Sequence, residues 1–179
     1  TKYNGEVRMI TRSLSTVTGE YGRKEDHVPY ITGAINCLPD NTVLVGELYY
    51  PGKTSQDVAT ILRCKADKAA ARQETKEYGK LHLYLHDIWF YCGQDLRNTS
   101  YQERIEVLKK VYDNHLRNVD IIEIAKYATT PQEITDLLEY AFENGEEGIV
   151  MVRKDATVAH GKRTACKTKK KKKELQKEV

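Results

Sequence analysis

The chain has 179 residues, of which 40% are hydrophobic and 31% charged. That length fits one domain of roughly 100–200 residues, large enough to bury a core without disulfides or metals. No run nears the ~20 apolar residues that span a bilayer, and no charged-then-apolar leader opens the chain, which points away from a membrane protein and a secreted precursor. The net charge of +3 conceals an asymmetry: residues 161–179 hold nine Lys/Arg against two Glu, while the first 160 hold 20 basic and 24 acidic groups. Such a lysine run is either a solvated tail or a surface for phosphate or nucleic acid. Cys37, Cys64, Cys92 and Cys166 form no C-x-x-C pair and read as free thiols in a reducing compartment.

Residues 6–11 alternate polar and apolar with period 2 and read as a half-buried strand. Residues 12–33, rich in Ser, Thr and Gly, read as loop with room for a short hairpin. A second strand over 43–50 is stopped by a Pro51-Gly52 turn. Ser55 is placed to cap a helix with Val58, Ile61 and Leu62 on one face, continuing to about Tyr78. A third strand over 81–88 puts Leu81, Leu83 and Leu85 on one side; His82 and His86 fall within it, and their i,i+4 offset would need a helix to bind a metal together. Ser100-x-x-Glu103 is a capping box ahead of the stripe Ile105, Leu108, Val111 and Tyr112.

A fourth strand covers 119–125. Thr130-Pro131-x-Glu133 is a second capping box, and Asn144-Gly145 ends its helix, whose apolar face is Ile134, Leu137, Leu138, Ala141 and Phe142. Residues 148–152 read as a fifth strand. The pattern predicts an α+β fold of mostly antiparallel sheets flanked by helices, since helices and strands do not alternate regularly enough for a doubly wound sheet.

Five short motifs run along this framework. They are Lys2-x-Asn4-Gly5; Val45-Gly46-Glu47-Leu48-Tyr49; Tyr84-Leu-His86-Asp87-Ile88; Glu147-Gly148-Ile149-Val150; and Gly161-Lys162-Arg163 followed by Lys170-x-Lys172. That succession resembles the nucleotidyltransferase (adenylation) domain of ATP-dependent DNA ligases, in the covalent lysyl-nucleotidyltransferase superfamily, from residue 2 to about 175. The stretch from Asp95-Leu-Arg-Asn to Arg104 is similar to it as well.

The resemblance implies an ATP-grasp-like domain in which Lys2 attacks the α-phosphorus of ATP, expels pyrophosphate and becomes a lysyl-AMP. A free lysine has a pKa of about 10.4, so an uncharged amine at pH 7 costs roughly 4–5 kcal/mol, which nearby cations and burial reduce. Lys170 and Lys172 would offset the developing phosphate charge. Glu147 would serve Mg2+, and Glu47 would contact the ribose or a metal-bound water, because magnesium prefers hard oxygen ligands. Arg8 or Arg12 would contact ribose or the nicked-strand phosphate, and His86 would stack on adenine. The implied partners are ATP and nicked duplex DNA, with no membrane, for a monomer inside the cell (cytoplasm or nucleoid, or a host cell if the source is viral).

Several positions depart from the family's pattern. Asn4 and Val45 stand where Asp is usual, and Val7 stands where the motif arginine is usual, with Arg8 next to it. Val152 replaces an expected lysine beside Arg153 and Lys154, which implies either a one-residue backbone shift or a relocated charge. Cys166 stands where tryptophan is common, and Lys169 and Lys171 replace apolar residues, so the last strand is expected to be weak and exposed. The resemblance makes residues 1–175 the adenylation domain, lacking its N-terminal start, and 176–179 the beginning of a linker to an oligonucleotide-binding-fold domain. An RNA ligase, an mRNA capping guanylyltransferase and a non-catalytic nucleic-acid-binding relative are the alternatives.

Overall fold

The computed structural model describes residues 1–158, apart from 17, 145 and 147, together with 167–171. Strands β1 (Lys2–Tyr3) and β2 (Glu6–Val7) form a hairpin around Asn4-Gly5, both with positive φ (49° and 76°). Asn-Gly tolerates that backbone and gives the tight turn a twist matching its strands. The strand expected over 6–11 is therefore interrupted. Pairing stops at Arg8, and β3 (Ile10–Leu14) begins a second hairpin with β4 (Tyr21–Arg23).

The loop expected over 12–33 is corrected further by a 3₁₀ turn (Glu25–His27) and helix α1 (Pro29–Ile35). Pro29 starts the helix, and Val28, Ile31 and Ile35 are buried at helical spacing. Three apolar points in eight residues are too few to announce a period. Strand β5 (Val43–Tyr49) lies where expected and ends at the Pro51-Gly52 turn, with Gly52 at φ 69°.

The helix expected from Ser55 to Tyr78 is two, α2 (Ser55–Leu62) and α3 (Ala66–Gln73), separated where Lys65 turns extended. Arg72 closes the break from α3, its Nη1 donating to the Thr60 carbonyl (3.3 Å) and to Cys64 Sγ (2.9 Å). The Thr60 carbonyl near the end of α2, which also accepts from Cys64 Sγ (3.1 Å), thereby gains a second donor. Thr54, rather than Ser55, makes the cap: its amide and hydroxyl both donate to Asp57 Oδ2, at 2.9 and 2.8 Å.

Strand β6 (His82–Tyr91) outruns the expected 81–88 because a turn at Cys92-Gly93 folds β7 (Gln94–Asp95) back onto it. Helix α4 (Tyr101–Val111) carries the Ser100–Glu103 box and ends in one π turn (Tyr112–Leu116). Strand β8 (Ile122–Ile124) is shorter than 119–125, since turns from Leu116 to Ile122 use up the first residues. It runs parallel to β6, with Leu83 beside Ile122.

Helix α5 (Pro131–Glu143) has both halves of its expected capping box, and β9 (Gly148–Val152) lies where expected. Strand β10 (Lys167–Lys171) pairs antiparallel with β9 in unbroken register, Val152 opposite Lys167. Beyond Val152, Arg153 pairs with Asp155 through Nε (2.9 Å) and Nη2.

The described residues fall into two compact units, 1–97 with 104–124, and 98–103 with those from 125 to 171. In the first, β5, β6 and β7 lie in order and β8 pairs the other side of β6. The β5–β6 register slips at two places, leaving His86 and Trp89 as extra residues on β6. The first slip offsets the alternation, so that Leu81, Leu83, Leu85 and then Ile88 are all buried. With Ile31, Ile61, Leu108, Val111, Leu116 and Ile122 they form the core, each contributing roughly 1.5–3 kcal/mol of burial. The second unit holds α5 and the β9–β10 pair, with Ala141 and Ala156 buried. Among the described residues no helix is long and apolar enough to cross a membrane.

Candidate nucleotide-binding site

The Lys2-x-Asn4-Gly5 motif is a hairpin turn held from three sides. The Lys2 amide donates to Thr42 O (2.8 Å), and the Thr42 amide returns a bond to Lys2 O (3.1 Å), fixing the turn to the residue before β5. Both carboxylate oxygens of Asp40 accept from the Gly5 amide, at 3.1 and 3.0 Å. Lys2 is buried, and its Nζ donates to Gly5 O (2.9 Å) and to Asn36 Oδ1. Among the described residues no carboxylate pairs with this amine.

Glu47 on β5 and Arg12 on β3 line one groove of about 380 Å3, together with Lys24 and the apolar side chains of Ile10, Leu48 and Leu83. Both Arg12 and Glu47 are exposed there. Gly46 is required beside Glu47, because a Cβ at that position would lie 2.7 Å from the Tyr84 carbonyl oxygen. Arg8 lies outside that lining, paired at 3.2 Å with Glu6 on its own segment. Of the two arginines, the structure brings only Arg12 to Glu47.

His86 is half-buried at the first slip of β6. Its neighbour Asp87 accepts a two-pronged bond from Arg104, Nε to Oδ1 at 2.8 Å and Nη2 to Oδ2 at 3.2 Å, with the Arg104 side chain 3% exposed. The Asp-Ile motif thus ties β6 to α4. In the second unit, Lys170 lies opposite Ile149 in the β9–β10 ladder. Glu147, Lys172 and the Gly161-Lys162-Arg163 segment lie outside the described residues.

Asn36, Asp40 and Lys24 were not among the residues the motifs identify. Asn36 and Asp40 follow α1, a helix without a legible period, and reach the motif turn only through the fold. Among the described residues no three His, Cys, Asp or Glu side chains cluster to cage a metal. Glu47 alone in its groove still fits magnesium, which keeps most of its waters and binds through one or two carboxylates plus substrate phosphates.

A family model described as ATP dependent DNA ligase domain matches residues 1–171. The chain belongs to this family. It is 27% identical over 162 residues to a DNA ligase of Natronomonas pharaonis, covering 90% of this chain and 28% of that protein. It is 28% identical over 170 residues to a probable DNA ligase of Beutenbergia cavernae, covering 92% and 30% respectively. This ligase-family chain therefore spans less than a third of the length of those relatives. A mycobacterial DNA ligase D complexed with ATP superposes with a TM-score of 0.65 at 19% identity, over 96% of this chain and 49% of that one. The Chlorella virus DNA ligase-adenylate gives 0.58 at 18%, over 96% and 59%. These likenesses establish the fold as that of ligase nucleotidyltransferase domains, in agreement with the α+β expectation.

Proposed function

We propose that this domain catalyses the adenylation half of ATP-dependent DNA ligation, with Lys2 as nucleophile. The observation that carries the reading is the buried Lys2 amine, held in a fixed turn by uncharged oxygens, inside a chain matched by the ligase family over residues 1–171. Two neutral acceptors hold the amine, and among the described residues no carboxylate pairs with it. The lone pair of Nζ attacks the α-phosphorus of ATP, the bond to pyrophosphate breaks, and a phosphoramidate to AMP forms. AMP then passes to a DNA 5′-phosphate, and a 3′-hydroxyl displaces it to seal the nick.

Arg12 and Glu47 face one groove and supply opposite roles, a cation for phosphate and a carboxylate for ribose hydroxyls or a hydrated cation. Glu47 and Glu147 are each proposed as carboxylates for Mg2+, which would supply charge neutralisation at the phosphates. His86 is the residue for adenine stacking, with its backbone braced by the Asp87–Arg104 pair. Arg8 has the weaker claim on a phosphate, since Glu6 already occupies it. Lys170 and Lys172 complete the proposed set as phosphate-binding cations. The family neighbours described as an ATP complex and a ligase-adenylate support the same chemistry.

Intact-mass measurement after exposure to ATP and Mg2+ tests this. The protein gains the mass of one AMP and releases pyrophosphate, and Lys2→Ala gains nothing. A wild-type mass that stays unchanged rejects the proposal. GTP in place of ATP separates a capping enzyme, and nicked RNA in place of nicked DNA separates an RNA ligase.

A further inference from the structure

We propose that Asn36 is a positioning residue for the Lys2 amine, holding it so that its free valence is presented to ATP; this rests on the reading of Lys2 as nucleophile. An ammonium has three hydrogens and no acceptor, so the Asn36 amide must turn its carbonyl oxygen toward Nζ. Gly5 O takes a second hydrogen at 2.9 Å. With two N–H directions engaged, the third is the one without a partner among the described residues. Loss of that proton leaves a lone pair on a nitrogen whose remaining hydrogens are already held.

The neutrality of both acceptors matters. A carboxylate at position 36 would stabilise the ammonium and oppose the deprotonation that attack requires. An amide oxygen orients the same nitrogen without that counter-charge. The charged groups around the turn are directed elsewhere: Asp40 onto the Gly5 amide, Glu6 onto Arg8, and the Thr1 amino group onto Arg8 O. Asn36 is itself well placed for the task. It closes α1, with its amide on Gly33 O (3.3 Å), between the buried anchors Ile35 and Leu38. The segment from 36 to 42 thus grips the motif at amine, amide and backbone together.

In the step itself, one proton first passes from the ammonium to water, leaving the lone pair on Nζ. The Nζ–P bond then forms while the bond from the α-phosphorus to the pyrophosphate oxygen breaks, and that oxygen departs with the electron pair. A second proton passes from the nitrogen to water, leaving one N–H.

The rate of lysyl-AMP formation, followed by intact mass across pH in the full chain, tests the role of Asn36. Asn36→Asp raises the midpoint of the pH profile by at least about one unit and recovers its rate at high pH. Asn36→Ala slows formation by about 10-fold at every pH, through lost orientation, and leaves the midpoint in place. Thermal melts confirm that both variants are folded, and Asn36→Ser replaces alanine if that variant melts early. An unmoved midpoint in Asn36→Asp, or a wild-type rate in Asn36→Ala, overturns the inference. A wild-type chain that never acquires AMP instead refutes the nucleophile assignment.

Discussion

Asp87 and Arg104 show how a motif residue serves the fold before it serves chemistry. Arg104 is 3% exposed, so removing Asp87 takes the carboxylate counter-charge from a buried guanidinium. Asp87→Ala is expected to cost about 3–5 kcal/mol in urea unfolding, and the pair Asp87→Leu with Arg104→Met to recover most of it. Gly46 makes a second residue-scale case. Its Cβ position lies 2.7 Å from Tyr84 O and 3.0 Å from Leu83 Cδ1, and the first neighbour is backbone that cannot rotate away. Gly46→Ala should destabilise by roughly 1–3 kcal/mol in the same assay. It should also lower adenylation more than a stability loss alone explains, since Glu47 is the next residue.

Among the elements, those with a strong local signature were legible and those defined by long-range pairing were not. The Thr130–Glu133 and Ser100–Glu103 boxes are written in four residues each, and both form. The strands at 43 and 148 have clean patterns and defined stops. Helix α1 was hidden because seven residues hold too few apolar points, and the break between α2 and α3 is fixed by Arg72 reaching back from the next helix. The same limit applies to the site: motifs marked Lys2 and Glu47, whereas Asn36 and Asp40 meet the turn only after α1 has folded.

One capping residue yields a pH prediction. The Thr129 and Thr130 amides and the Thr129 hydroxyl hold the Glu133 carboxyl down to about 2. A carboxyl depressed in the folded state contributes fully above its ordinary value of 4.5, and that contribution disappears as pH falls toward 2. Glu133→Gln should therefore lower the melting temperature at pH 7 and flatten its decline between pH 4.5 and 2, as read by circular dichroism.

At the scale of the whole molecule, charge is divided along the chain, an acidic excess through residue 160 and a basic excess beyond it. If the chain acts on nicked DNA as proposed, contacts between that basic end and DNA phosphates would release counterions and make binding sensitive to salt. Raising salt from about 50 to about 200 mM should weaken binding to nicked duplex DNA by about 10-fold or more, measured by fluorescence anisotropy. Adenylation by ATP alone should change far less over that range.

The central strand of the first unit carries a kinetic consequence. β6 joins β5, which precedes it by two helices, and β8, which follows it by a third helix, so neither pairing is made by a tight turn. Both closures must be completed before the sheet repays the lost chain freedom. Refolding from urea should therefore be slower than for a helical bundle of equal length. During that interval the bare edges of β6 are the part of the chain most open to self-association.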